Sequence, residues 1–364
     1  GAPIGGGVFH DTLKAPGAGD IVIKSVRGND VTFAADQYYD GSTTIEKGAV
    51  LRLGSGRPGG DGSLLTKAAL FKVANFGSLI VQNTSNSTSL SKISGSGSLT
   101  QAGAATTRLT GSLSYTGKTT ISQGVLAVTG GSLKSSTAVA LTKAGARLDL
   151  TSAGNQTLRN LTMLGGTTVM AGGDSTVTLT QASTLAGTFK GGKLLNTGVL
   201  GGSFSVNGDF TQTGSGRLTT RADGKPLNVT GTVSLAGALA AAPGAKPDRS
   251  AQEITIIDNS GSDQVAGTFT GLAEGAEVPV GGTKYAITYR GGDGNDVTLK
   301  PVKVNAAVAV PNRPAAENTP QATTTPAGNS SVLRIASLAT AAGAILVLGL
   351  LLLRRRRRTS SPSG

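Results

Sequence analysis

Residues 114–128 read SYTGKTTISQGVLAV, and a related stretch, YYDGSTTIEKGAVLRL, occupies residues 38–53. When Tyr39 is aligned with Tyr115, the two copies have the same residue at six positions before one extra residue shifts the alignment. The matched residues are Tyr39 and Tyr115, Gly41 and Gly117, Thr43 and Thr119, Thr44 and Thr120, Ile45 and Ile121, and Gly48 and Gly124. Such repetition inside one chain indicates a stacked repeat architecture rather than a single catalytic motif.

Outward from this phrase, residues 1–300 alternate apolar and polar side chains again and again, as in STVTLTQ (175–181) and ARLDLT (146–151). A period of two predicts β-strands, and one stretch, 63–75, has a helical pattern. The tripeptide Gly-x-Leu occurs ten times before residue 335. Glycine permits a sharp corner, and the leucine two places later is expected to point into a coil interior. The pattern predicts an all-β solenoid with coils of roughly 20 to 25 residues.

Residues 95–128, GSGSLTQAGAATTRLTGSLSYTGKTTISQGVLAV, resemble the autotransporter-associated β-strand repeat of bacterial passenger domains. Residues 75–81 (NFGSLIV) and 254–299 resemble its intervening and closing segments. The resemblance implies a right-handed parallel β-helix on the cell surface, with repeats over 1–250 and a capping segment over 251–300. Within the repeat we expect Tyr115 to cover the edge of the stack, Thr119 and Thr120 to face outward as a hydroxyl ladder, and Ile121 to fill the core.

The C-terminal part predicts a membrane anchor. Residues 301–333 are rich in Pro, Thr and Ala, which is typical of an extended, disordered linker. The span of 334–353 contains 19 uncharged residues from Ile335 to Leu353, enough for one transmembrane helix. The basic tail, 354–364, begins with Arg354, Arg355, Arg356, Arg357 and Arg358. The positive-inside rule keeps these arginines cytoplasmic and places the repeats outside the cell.

This topology requires export, so we expect that a signal peptide was removed before Gly1. The tail resembles the end of Gram-positive and actinobacterial surface proteins, but the sequence Leu-Pro-x-Thr-Gly, which sortases recognise, does not occur. Retention in the cell membrane by a single-pass helix is therefore favoured over covalent attachment to the wall. The predicted partners are the lipid bilayer and, outside it, cell-wall polymers, glycans or other surface proteins.

The amino-acid composition argues against most kinds of catalytic site and against nucleic-acid binding. The chain has no Cys and one His, so thiol nucleophiles and Cys-ligated metals are excluded. The net charge is +13, of which Arg334 and the five tail arginines contribute six, leaving +7 for residues 1–333. No basic run is interleaved with aromatic residues, so nucleic acid is not an expected partner. Paired acids such as Asp258 with Asp263 lie in apparent turns, and we predict no catalytic residues and no enzyme activity.

One segment could bind a metal. GGDGNDVTL, residues 291–299, matches most of a calcium-binding nonapeptide, with Asp293 and Asp296 as candidate ligands. A plain hairpin turn is the competing interpretation, and no other cofactor is expected. The sequence thus predicts a non-enzymatic, adhesin-like surface stalk. The alternative is a carbohydrate-binding or polysaccharide-degrading β-helix protein at the cell surface.

Overall fold

The computed structural model describes residues 7–9, 19–25, 30–39, 41–65, 72–247 and 252–302, which all belong to one compact unit, Gly1–Asn305. These residues form an all-β, right-handed parallel solenoid of about ten turns, as the alternation and the resemblance predicted. The prediction of a helix over 63–75 is wrong at both ends of that stretch, where the chain forms short strands. The linker, the apolar span and the basic tail lie outside the described residues, apart from 301–302.

The described strands follow one another in chain order. They are β1 (Gly7–Phe9), β2 (Ile21–Ile23), β3 (Val31–Phe33), β4 (Gln37–Tyr38), β5 (Thr43–Ile45), β6 (Val50–Leu53), β7 (Leu64–Leu65), β8 (Lys72–Asn75), β9 (Ser78–Val81), β10 (Thr88–Leu90), β11 (Lys92–Ser94), β12 (Ser98–Gln101), β13 (Thr106–Leu109), β14 (Thr119–Ile121), β15 (Val125–Val128), β16 (Val139–Leu141) and β17 (Arg147–Leu150). They continue with β18 (Gln156–Leu158), β19 (Leu161–Met163), β20 (Thr168–Ala171), β21 (Thr176–Leu179), β22 (Ser183–Leu185), β23 (Thr188–Asn196), β24 (Val199–Gly202), β25 (Ser205–Gln212), β26 (Arg217–Thr220), β27 (Leu227–Val229), β28 (Val233–Leu235), β29 (Ala238–Ala241), β30 (Ile254–Asn259), β31 (Ala266–Gly267), β32 (Glu277–Val280), β33 (Thr283–Gly291) and β34 (Asp296–Pro301). One 3₁₀ turn, Leu133–Ser135, lies between β15 and β16.

Most of the strands belong to three sheets, and β4 and β7 form a separate two-stranded sheet. Sheet I has 12 strands in the order β1-β3-β6-β9-β12-β14-β16-β19-β22-β24-β26-β29. Sheet II has 16 strands and contains β10, β13, β15, β17, β20, β23 and β25 as its parallel core. Sheet III is the four-stranded sheet β11-β8-β5-β2. Because Thr119 pairs with Val139 and Val139 pairs with Leu161, successive coils span 20 and then 22 residues, close to the predicted length.

The core is a set of inward ladders, in which each side chain stacks on its equivalents in neighbouring coils. One ladder on sheet I passes through Leu79, Leu99, Thr119, Val139 and Leu161, all fully buried or nearly so. Of the ten Gly-x-Leu leucines, nine are buried and Leu239 is half-buried, which confirms their predicted inward direction. A buried leucine contributes about 2 kcal/mol, and stacking is what removes it from water.

Buried amide side chains satisfy the backbone at the corners. Asn83 accepts a hydrogen bond from the Gly62 N–H at 3.1 Å and donates to the Gly62 carbonyl at 3.0 Å. Asn196 donates to the Gln212 side chain at 3.0 Å, and Gln212 donates to the Ala236 carbonyl at 2.7 Å. Because a buried polar group without a partner is costly, these pairs fix the register of adjacent coils.

The C-terminal end of the unit changes pairing direction. β30 pairs in parallel with β27 on one side and antiparallel with β34 on the other. β32, β33 and β34 then form an antiparallel meander. No α-helix with the length and apolar character needed to cross a membrane occurs among the described residues.

Candidate functional site

The repeated phrase forms a strand, a corner and a second strand, and its tyrosine is buried. Tyr115 is 1% exposed and its hydroxyl lies 2.6 Å from Thr119 Oγ1, which in turn lies 3.0 Å from Ser136 Oγ. Burial raises the pKa of Tyr115 to about 12, although the hydrogen bond with Thr119 acts in the opposite direction. The predicted role of Tyr115 as an edge cover is therefore wrong, because its ring lies inside the stack.

The expected outward hydroxyl ladder is only half correct. Thr119 is fully buried and takes a leucine position in the inward ladder, whereas Thr120 faces outward, in register with Thr100. Ile121 is fully buried, as predicted. A strand alternates its side chains, so Thr119 must share the side of Ile121, and Tyr115 and Ser136 supply the partners that its hydroxyl needs there.

The first copy builds the same corner on a different face. Tyr39 is buried and its hydroxyl is hydrogen-bonded to Thr43, while Thr44 is half-buried and Ile45 is fully buried. However, Thr43–Ile45 lies in sheet III and Thr119–Ile121 lies in sheet I. The repeated phrase therefore predicts a local corner, but the face of the solenoid on which that corner lies depends on how the coils stack.

Glycine is required at the matched positions for two different structural reasons. A Cβ at Gly117 would lie 2.1 Å from the Gly97 carbonyl oxygen, and one at Gly41 would lie 2.3 Å from the Gly19 oxygen. Gly48 and Gly124 instead adopt left-handed φ values of +81° and +64°. The first pair allows the coils to approach closely and the second pair turns the chain. The inward-facing motif residues thus serve packing, and the glycines serve close approach of the coils and the turns.

The calcium candidates lie in a hairpin. Residues 292–295 connect the antiparallel strands β33 and β34, and Asp293 is exposed there. Asp296 accepts a hydrogen bond from the Asn259 N–H at 2.9 Å. No group of three or more His, Cys, Asp or Glu within the described ranges is arranged to hold a metal ion. Calcium binding stays a prediction.

Acidic side chains that are distant in the sequence lie close together beside this hairpin. Asp258 lies in β30 rather than in a turn, and it lines a depression of about 380 Å³ with Glu253 and Asp296. Burial raises the pKa of Asp296, and the nearby carboxylates of Asp258, Asp293 and Glu253 raise it further, against the effect of the Asn259 hydrogen bond. Glu253 Oε1 also accepts a hydrogen bond from the Thr298 hydroxyl and lies 3.6 Å from Lys300 Nζ.

Positive charge is concentrated in the middle coils. Residues 92–217 contain ten basic side chains and three acidic ones, a net charge of +7, whereas residues 1–91 carry +1 and residues 218–333 carry −1. We name residues 92–217 the basic belt. Its basic members are Lys92, Arg108, Lys118, Lys134, Lys143, Arg147, Arg159, Lys190, Lys193 and Arg217. Nine of the ten are exposed, and Lys92 is half-buried.

None of these side chains forms an ion pair with another described residue. All five ion pairs formed between described residues lie outside the basic belt. Their closest approaches include 2.5 Å between Arg52 and Asp30 and 2.7 Å between Lys284 and Glu277. Some of the charges of the flanking coils are therefore paired, whereas the basic belt presents its basic side chains to solvent without ion pairs among the described residues.

Two of the arginines line one depression on sheet II, offset from each other by two residues along their strands. Arg108 on β13 and Arg147 on β17 line a depression of about 330 Å³, with Val125 and Ala127 of the intervening strand β15 also lining it. Asp149, Thr106, Thr129, Thr151 and Ser152 supply further polar groups. Asp149 Oδ1 accepts from the Thr151 backbone N–H at 3.0 Å and from its hydroxyl at 2.7 Å. We name this depression the arginine cleft.

The basic belt is hidden in the summed charge of residues 1–333, because that sum does not show where along the chain the charge lies. A running count of acids and bases along the chain would have found it. The arginine cleft needed the structure, because Arg108 and Arg147 are 39 residues apart and meet only through the pairing of β13, β15 and β17. The predicted anchor residues, Ile335 to Leu353 and Arg354 to Arg358, lie outside the described residues.

A family model matches a short part of the chain. The passenger-associated transport repeat matches residues 99–128, which run from β12 to the end of β15 and include the second copy of the phrase. This match supports the resemblance seen in the sequence. Comparison with curated proteins and with solved structures finds no match.

Proposed function

We propose that this protein is a non-enzymatic, passenger-like stalk displayed on a cell surface, where it presents its repetitive faces for adhesion or for contact with the envelope. The observation that carries the proposal is the passenger repeat match on residues 99–128, inside a parallel β-solenoid. Most motif residues of that repeat are used for packing or for turning the chain. The repeat thus builds length and surface, and function rests with the outward side chains.

The proposal includes attachment by one C-terminal helix. The apolar stretch from Ile335 to Leu353 has the length of a bilayer span, and the arginines that follow it favour a cytoplasmic end. The preceding segment, rich in Pro and Thr, would hold the solenoid away from the membrane. The solenoid would then face the exterior and the bilayer would be its permanent partner.

Protease treatment of intact cells tests this topology. A tag after Gly364 and an antibody against the solenoid follow the two ends of the chain separately. We expect external protease to release a solenoid fragment that ends within 303–333, while the tag stays intact until the cells are permeabilised. Replacement of Arg354 to Arg358 by glutamine should weaken this orientation. A digested tag with a protected solenoid would contradict the proposal and favour a cytosolic scaffold.

A further inference from the structure

The basic belt carries the largest net charge of the three stretches compared above, and this charge favours a polyanion as its partner. Ten basic side chains and three acidic ones lie within residues 92–217, and none of the ten forms an ion pair with another described residue. Unpaired charge of one sign on neighbouring coils repels itself. A polymer with regularly spaced negative charges relieves this repulsion along several coils at once.

Within residues 92–217 no aromatic ring is exposed on which a base could stack. Within the basic belt the aromatic residues are Tyr115, Phe189, Phe204 and Phe210, and all four are buried in the core. Proteins that bind single-stranded nucleic acid combine basic grooves with exposed aromatic rings. The basic belt therefore has the positive charge but not the exposed aromatic rings that such proteins use to bind single-stranded nucleic acid.

The arginine cleft matches a ligand that carries both acidic groups and hydroxyls. Arg108 and Arg147 are separated by β15, so their strands lie about 10 Å apart, twice the spacing of neighbouring strands. The guanidinium groups have no hydrogen-bond partner among the described residues and can each hold a carboxylate through two parallel hydrogen bonds. Two acidic groups on one chain could therefore be held together.

The remaining groups of the cleft favour sugar hydroxyls. Asp149 uses one oxygen for Thr151, and its other oxygen has no hydrogen-bond partner within the described residues, so it can accept from a hydroxyl. Thr106, Thr129 and Ser152 add hydroxyls that donate and accept. A polymer of acidic groups alone would meet repulsion from Asp149 and gain no compensating hydrogen bond.

We propose that the basic belt binds an acidic polysaccharide, with Arg108 and Arg147 holding carboxylates and Asp149 accepting hydroxyl groups in the arginine cleft. This inference rests on the proposed function and deepens it, because it names the class of partner that the displayed surface contacts. Binding to a purified polymer does not depend on where the protein resides, so its outcome is independent of the protease experiment.

The test uses the full chain in a neutral detergent and measures its affinity for polygalacturonate, with uncharged dextran and duplex DNA as comparison polymers. We expect binding to polygalacturonate that weakens when NaCl rises from 50 to 500 mM, because the screening length falls from about 14 to about 4 Å. Arg108→Ser or Arg147→Ser should each weaken binding about threefold, and the double variant about tenfold. Dextran should bind at least tenfold more weakly than polygalacturonate.

Arg57→Ser is the matched control, because Arg57 is exposed and carries the same charge outside the basic belt. Its affinity should stay within the error of the unchanged protein. The proposal is overturned if polygalacturonate does not bind, if dextran binds equally well, or if Arg57→Ser weakens binding as much as the cleft variants. Binding of duplex DNA as tight as that of polygalacturonate, with the same loss in the double variant, would refute the choice of a polysaccharide.

Discussion

Replacement of Gly117 by alanine should destabilise the solenoid at one interface between coils. The added Cβ would lie 2.1 Å from the Gly97 carbonyl oxygen, 2.4 Å from its carbon and 2.9 Å from the Ser96 oxygen. Cβ atoms in proteins essentially never come within 3.0 Å of such atoms. The two coils must therefore separate locally by about 1 Å.

That separation stretches the hydrogen bonds on both sides of Gly117. The Thr116 N–H donates to the Gly95 oxygen at 2.9 Å, and the Leu99 N–H donates to the Lys118 oxygen at 3.0 Å. An additional 1 Å takes both beyond hydrogen-bonding distance. Each lost bond costs about 1 kcal/mol and the disturbed packing adds a similar amount, so we expect a loss of about 3 kcal/mol.

Gly173→Ala is the matched control, since a Cβ there would have no atom within 4 Å and its φ is not left-handed. This variant should be neutral or slightly more stable, because alanine reduces the freedom of the unfolded chain. At about 2 °C per kcal/mol for a unit of this size, scanning calorimetry should show a midpoint about 6 °C lower for Gly117→Ala alone. Hydrogen exchange should speed up mainly in the coils of β12 and β14. Equal midpoints for the two variants would refute the close-approach argument.

Two further predictions concern the buried hydroxyls of the repeat. Thr119→Val should cost about 1–2 kcal/mol in chemical unfolding, because Tyr115 loses a buried partner, whereas the outward Thr120→Val should stay within about 0.5 kcal/mol; equal costs would show that Thr119 does not face inward. Because the pKa of Tyr115 is raised to about 12 in the folded protein and is about 10 in an unfolded chain, its contribution to stability is complete below pH 10 and falls as the pH rises towards 12. The thermal midpoint of Tyr115→Phe should therefore decline less between pH 10 and 12 than that of the unchanged protein, and an identical decline would contradict the buried position.

Some of the candidate site could be read from the sequence. Gly48 and Gly124 could be assigned to corners, and the Gly-x-Leu leucines to the interior, because corners and alternation are local properties of a strand. The close approach of neighbouring coils at Gly41 and Gly117 could not be predicted, because it depends on how the coils stack. The position of Thr119 was also available, since a period of two places it with Ile121. Its polarity suggested the wrong side, because sequence alone did not show that Tyr115 and Ser136 lie close enough to satisfy its hydroxyl.

By itself the sequence determined the strands and the corners, because side-chain alternation and glycine at the turns act within one coil. Only the tertiary structure decided which face each strand occupies, so that the same phrase serves sheet III in one copy and sheet I in the other. It also brought Arg108, Arg147 and Asp149 into one cleft. The physical reason is that parallel pairing joins residues about 20 positions apart, and the lengths of the intervening corners set that register.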